Sequence, residues 1–269
     1  ADSRQIFAEM PIGTAAPTQE QQRDVLHYFV GNHSVTDYYS AAMFEEDAIN
    51  IIDELFKDKH DSLLMSGGSM MYIDAVCKGI DDIPTIDEVT REKLKNDFEK
   101  NGLDKLVELL KVLDPEHWNI VDKKNPRRVI HALEICLMTG KTYTSFRRNT
   151  HKDRPFNILK IGLNRDREEL YERINKRVLE MIDSGLIDEV IFLEKKYTRA
   201  PNCMASIGII ETLEYLDGKL TKQELEEKIS ANTAKLAKRQ NTFNKGQFLD
   251  KTSNIIENLN SDIIKYFSL

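Results

Sequence analysis

Cysteine is scarce in this chain. Among 269 residues there are three, Cys77, Cys136 and Cys203. They lie far apart, show no zinc-ligand spacing and cannot all pair with one another. They read as reduced thiols in apolar surroundings, which fits a cytoplasmic protein. Long hydrophobic runs are missing too: no stretch nears the length of apolar sequence needed to span a bilayer, which argues against a membrane role. Positive charge is not in excess either. A formal net charge of −7 excludes a generally basic surface, so contact with nucleic acid has to rest on local clusters. No internal repeat, low-complexity tract or apolar signal region is visible.

What is present suggests a soluble enzyme of one large domain, or a domain carrying a smaller insert. From Asp37 to Lys57, residues Ala41, Phe44, Ala48, Ile51, Ile52 and Leu55 recur at helical spacing, with Ser34 and Asp37 placed as a capping box. In SLLMSGGSMMYIDAVCKGI, residues 62 to 66 read as a short buried strand, Gly67 and Gly68 as a tight turn, and Ser69 as the cap of the next helix. From Ile83 to about His151 the character becomes charged, Leu-bearing and helical. FNILKIGL, residues 156 to 163, resumes a β pattern. Arg165 to Phe243 reads helical with a stop at Gly218, and Thr221 and Glu224 open the last long helix as a second capping box.

Two basic clusters stand out, Lys123, Lys124, Arg127 and Arg128, and then Arg147, Arg148, His151, Lys152 and Arg154. Most such runs are solvated charged faces. The first contains a local conflict, however. Asn125 as N-cap, Pro126 at the first helical position and Gly140 past the end frame a helix over 126–139. Arg127 and Arg128 then occupy the positive end of its dipole, where cations are disfavoured. Either carboxylates of the same region or a phosphate would resolve this. A second conflict lies in LYERINKRVLEMI. Leu170, Ile174, Val178 and Met181 form an apolar stripe, and Arg177 falls about 20° from its first residue, with Arg173 on the flank. A guanidinium on an inward face needs an anion, a buried Glu or a bound diphosphate. The third place is SGGSMMY, residues 66 to 72, where the glycines permit either tight packing or room for a ligand.

DSRQIF, MPIGTAAPT, HYFVG, SGGSMMY, NPRRVIHALEICLMTGK, LYERINKRV with SGLIDEV, SIGIIE and LAKRQNTF follow one another in this order. Together they resemble the tRNA dimethylallyltransferase, or tRNA isopentenyltransferase, family. The resemblance implies an α/β fold with a P-loop NTPase-like parallel-sheet core, residues 1–83 and 151–269, and a helical tRNA-contacting insert, residues 84–150. It implies transfer of a dimethylallyl group from dimethylallyl diphosphate, assisted by Mg2+, to N6 of the adenosine 3′ to the anticodon, in a flipped base. The expected partners are the tRNA anticodon stem-loop and dimethylallyl diphosphate, and the protein is expected to be monomeric.

By position, the resemblance makes Asp2 the general base, with Ser3, Arg4 and Gln5 near the RNA. Ser69 falls near the reaction channel, where the family commonly has Thr. Arg173 and Arg177 lie on the helix that contacts the diphosphate. Asn125, Pro126, Arg127 and Arg128, together with Lys238, Arg239 and Gln240, fall on tRNA-contacting stretches. The pattern departs from the family in places. The family's glycine-rich loop ending in Lys and Ser or Thr, with its strand and helix, is absent from the sequence given, and the chain is expected to transfer poorly without it. Ala234 stands at a usual Arg position, Phe243 at a usual Trp position, and NKGQFLDK lacks a basic continuation. Two other functions share much of this pattern, adenylate isopentenyl transfer to a free nucleotide and non-catalytic RNA binding.

Overall fold

Helical signals prevail over β signals in the folded chain. The computed structural model describes residues 1–148, 151–163 and 165–247. Among these, the helices run α1 (Gln19–Asp24), α2 (Ala41–Lys57), α3 (Met70–Lys78), α4 (Glu88–Leu113), α5 (Pro115–Ile120) and α6 (Pro126–Thr139). They continue with α7 (Tyr143–Phe146), α8 (Arg167–Asp183), α9 (Leu186–Tyr197), α10 (Ile209–Leu216) and α11 (Lys222–Gln247). None of them is long and apolar enough to cross a membrane.

The expected α/β class, a P-loop NTPase-like parallel-sheet core, is overturned. Among the described residues there is no sheet, and β-pairing amounts to isolated bridges such as that of Phe7 with His33. Residues 62–66 and 156–163 belong to no strand. Leu64 is 90% exposed, and Ile158, Leu159 and Leu163 are exposed as well. The physical reason is that an apolar run becomes a strand only where a neighbour takes its backbone N–H and C=O groups. Composition reports the run and not the partner. The Ser34 and Asp37 pair also differs from expectation. Asp37 accepts the Ser34 N–H at 2.8 Å and closes a turn of its own, so α2 starts later, at Ala41.

Two compact units divide the chain, one made of Ala1–Ala41, Ile51–Ile73 and the chain from Phe156 onward, the other of Ala42–Asn50 and Asp74–Pro155. In the first, α8 buries Ile174, Val178 and Ile182, and α9 buries Leu186, Val190 and Leu193. These side chains pack with Ile209 and Leu213 of α10, Leu225 and Ile229 of α11, and Ile6, Phe7 and Met10 of the N-terminal loop. Thr221 and Glu224 start α11 by reciprocal hydrogen bonds, as their spacing predicts.

The second unit packs α4 on α6. Leu94, Leu106 and Leu110 meet Val129, Ala132 and Leu133. The frame of α6 is as the sequence predicts: Asn125 Oδ1 accepts the Arg128 N–H, and Gly140 ends the helix at φ 67°. Within α4, Gly102 breaks the helical path at φ 76° and ψ 177°. Near the end of α3, a buried Glu45 receives Arg154 Nη2 at 2.7 Å, the Ile80 N–H at 3.1 Å and Lys152 Nζ at 3.3 Å. Arg154 also donates to the carbonyls of Ala75 and Val76.

Removing one member of a buried pair leaves the other charge without compensation. Glu45→Ala is therefore expected to cost about 3 kcal/mol or more, read as a lower urea midpoint. A midpoint within experimental scatter of wild type would show that Arg154 is held by the carbonyls alone. A pH effect is expected in the first unit. Glu9 accepts hydrogen bonds from Tyr197 Oη, Ser34 Oγ and the Val35 N–H. Burial pushes the Glu9 carboxyl up, and these hydrogen bonds outweigh it, holding the carboxyl below the ordinary glutamate value. A lowered folded pKa contributes stability that is complete above the unfolded pKa and lost as pH falls through the folded one. Glu9→Gln is accordingly expected to flatten the acid limb of stability against pH, measured by urea midpoints across the carboxylate range.

Candidate active site

The N-terminal turn positions the first candidate. Asp2 Oδ1 accepts the N–H groups of Arg4 at 2.8 Å and Gln5 at 3.2 Å, an Asx turn of the kind Asp-Ser sequences favour. Oδ2 has no hydrogen bond among the described residues. One carboxylate thus shapes the turn through one oxygen and leaves the other available.

Ser69 precedes α3, and its carbonyl accepts from Tyr72 and Ile73. Its hydroxyl does not cap the helix. It accepts the Ser3 N–H at 2.9 Å and donates to Ser3 Oγ at 3.2 Å, which ties the Asp-Ser turn to the start of α3. The glycine pair before it serves close approach. A Cβ on Gly67, where φ is +154°, would lie 2.1 Å from the Ala1 carbonyl oxygen. One on Gly68 would lie 2.2 Å from Gln240 Nε2, which donates to the Gly68 carbonyl at 2.9 Å.

Ser3 thus ties the Asp2 turn to Ser69, and Gln240 ties α11 to the adjacent Gly68, in one cluster where, among the described residues, the Asp2 side chain itself bonds only the Arg4 and Gln5 N–H groups. Gln5 faces elsewhere: its amide donates to the carbonyls of Thr14 and Ala15. Tyr72 is a member that the sequence reading missed. It is buried, and desolvation pushes its phenol up to about 12, with the Arg4 charge opposing and the Asp2 charge adding. A neutral phenol thus stands within electrostatic reach of both. Its place three residues after Ser69, in SGGSMMY, was the available signal.

The expectation that Arg177 faces inward is overturned. Both Arg173 and Arg177 are exposed. The buried stripe of α8 includes Ile182, about 120° round from Leu170, so its centre lies farther from Arg177 than the first four apolar residues suggest. Neither arginine forms an ion pair among the described residues, and neither is hydrogen-bonded to the Asp2 cluster. Arg127 and Arg128 are also exposed, with no carboxylate partner among the described residues. The second basic cluster is different, because Lys152 and Arg154 are held by Glu45.

On α11, Lys238 and Arg239 are exposed. Lys238 edges a cleft of about 400 Å³ between α8 and α11, lined also by Tyr171, Asn175, Ser230 and Lys235. Ala234 packs against the core of this unit. The end of NKGQFLDK lies outside the described residues. No group of three or more His, Cys, Asp or Glu among the described residues is placed to hold a metal ion. The cluster offers one carboxylate with one oxygen already committed, which falls short of a resident magnesium cradle. No step below is routed through a metal.

Comparison with known proteins bears on the whole chain. A family model described as IPP transferase matches residues 5–247. The chain is 54% identical over 244 residues to tRNA dimethylallyltransferase 1 of Phocaeicola vulgatus, covering 90% of this chain and 80% of that protein. It is 44% identical over 276 residues to tRNA dimethylallyltransferase of Aliarcobacter butzleri, covering 100% and 89%. Among solved structures, the full-length tRNA isopentenylpyrophosphate transferase of Bacillus halodurans aligns at a TM-score of 0.64 and 30% identity, covering 99% and 85%. With a family model and relatives of this identity matching most of its length, the chain belongs to the IPP transferase family.

Proposed function

We propose that the chain transfers a dimethylallyl group from dimethylallyl diphosphate to N6 of the tRNA adenosine 3′ to the anticodon. The observation that carries the reading is Asp2, whose Oδ1 is fixed by two backbone N–H groups while Oδ2 takes no hydrogen bond among the described residues, in a turn that Ser3 ties to Ser69. Relatives named tRNA dimethylallyltransferase at about half identity support tRNA over a free nucleotide.

An exocyclic amine conjugated to a purine ring is a poor nucleophile, so removing its proton as the bond forms helps. N6 attacks C1 of the dimethylallyl group. The C1–O bond to diphosphate breaks, its electron pair leaves with the diphosphate oxygen, and the N6 proton passes to Asp2 Oδ2. Arg173 and Arg177, one helical turn apart and free of carboxylate partners among the described residues, are the groups read as receiving the diphosphate. Arg127 and Arg128, together with Asn125 and Pro126 at the start of α6, are read as meeting tRNA phosphates. There the helix N-terminus and the guanidinium groups attract the same anion. On α11, Lys238 and Arg239 are likewise read as meeting tRNA phosphates.

In the full-length protein, Asp2→Ala is expected to lower single-turnover prenylation by about 100-fold or more with tRNA affinity nearly unchanged. An unaltered rate would remove Asp2 from the chemistry. Replacing Arg127 and Arg128 together with Ala is expected to weaken stem-loop binding. The same change should reduce the slope of log affinity against log salt by up to about 0.9 per lost phosphate contact, and a salt titration identical to wild type would return both to solvated surface.

A further inference from the structure

Glu189 links the core of the first unit to the N-terminal loop. It lies in the first turn of α9, a helix fixed in the core by Leu186, Val190 and Leu193, each fully buried. Its two oxygens reach the N-terminal loop. Oε2 accepts the Ile12 N–H at 2.8 Å and Oε1 the Gly13 N–H at 2.7 Å. Gly13 is the residue that allows this approach, because a Cβ there would lie 3.1 Å from Glu189 Oε1 and 3.0 Å from Ile209 Cδ1.

The loop so held is tightly wound. Thr14 donates through both its N–H and its hydroxyl to the Met10 carbonyl, the Ala15 N–H donates to Ile12, and Ala15 itself sits at φ 47°. This winding aims two successive carbonyls, of Thr14 and Ala15, at the side-chain amide of Gln5, at 3.2 and 3.0 Å. The Gln5 N–H in turn donates to Asp2 Oδ1, at 3.2 Å the longer of the two bonds that set the carboxylate. An unbroken series of contacts therefore joins the core helix to the proposed base. Burial pushes the Glu189 carboxyl up and the two N–H groups oppose that rise, so the loop amides are what favour its ionised form.

We propose that Glu189 is a positioning residue for Asp2, holding residues 12–15 so that Gln5 keeps Oδ2 aimed at the reacting amine. The proposal rests on the reading of Asp2 as the base. Glu189→Gln keeps the shape but presents an N–H to one of the two loop amides, which breaks one of the bonds. Misplacement by about 1 Å can cost about 100-fold in rate, so Glu189→Gln in the full-length protein is expected to lower the single-turnover rate by about 10- to 100-fold. KM for tRNA and for dimethylallyl diphosphate should stay within about threefold of wild type, as for a group acting in the transition state only. On an Asp2→Ala background the same change should cause no further loss, because both variants remove one function.

Gln5→Met removes the middle contact without touching α9 and is expected to show the same loss and the same non-additivity, which covers the case in which Glu189→Gln does not fold. A variant of either kind with wild-type rate per folded molecule and only a lower thermal midpoint would overturn the inference, leaving Glu189 a brace. So would losses that multiply on the Asp2→Ala background. A wild-type protein that transfers nothing, or an Asp2→Ala variant at full rate, would overturn the reading of the site itself, a result distinct from either.

Discussion

Backbone N–H groups in loops and in the first turns of helices need acceptors, and in this fold carboxylates supply several of them. The first unit carries a long N-terminal loop without a sheet among the described residues to pair with. Asp2 takes the amides of Arg4 and Gln5, Glu189 those of Ile12 and Gly13, and Glu9 that of Val35. In the second unit Glu45 takes the Ile80 N–H, and Asp114 those of His117 and Thr144. An unpaired buried amide costs about as much as a lost hydrogen bond, and a charged acceptor gives a stronger bond than a neutral one. Loops that look irregular by backbone geometry are in this sense fully specified.

The candidate site inherits that specification. Asp2 commits one oxygen to architecture and leaves the other available, so its two readings, turn former and proposed base, are not rivals. Ser69 behaves similarly, with its carbonyl in the first turn of α3 and its hydroxyl on Ser3. Gln240 donates its side-chain amide to the Gly68 carbonyl. A side chain of α11 thereby helps hold the glycine pair.

Local signals were the legible part. Asn125, Pro126 and Gly140 fixed the ends of α6, and Thr221 with Glu224 fixed the start of α11, because capping is decided within four residues. Long-range pairing was not legible. Residues 62–66 and 156–163 have strand composition, yet nothing in a run of apolar residues names its neighbour. Arg177 lies off the buried stripe because Ile182, a fifth apolar position, moves its centre away from the one that Leu170, Ile174, Val178 and Met181 define. Glu189 carries no signal within SGLIDEV, since a Glu near a helix start is ordinary; only its loop partners, far away in sequence, make it unusual. The order of the motifs, by contrast, identified the family without any knowledge of the fold.

Gly102 shows how one residue sets the phase of a long helix. With Leu94 and Leu106 twelve positions apart, an uninterrupted helix would point them about 120° away from each other. Both nevertheless reach the same core beside α6. The backbone at Gly102, in a region essentially reserved for glycine, restarts the helical count between them. No atom would crowd a Cβ there. The glycine is required for direction and not for space, and the two halves of α4 can drift in sequence independently, each keeping its own apolar face.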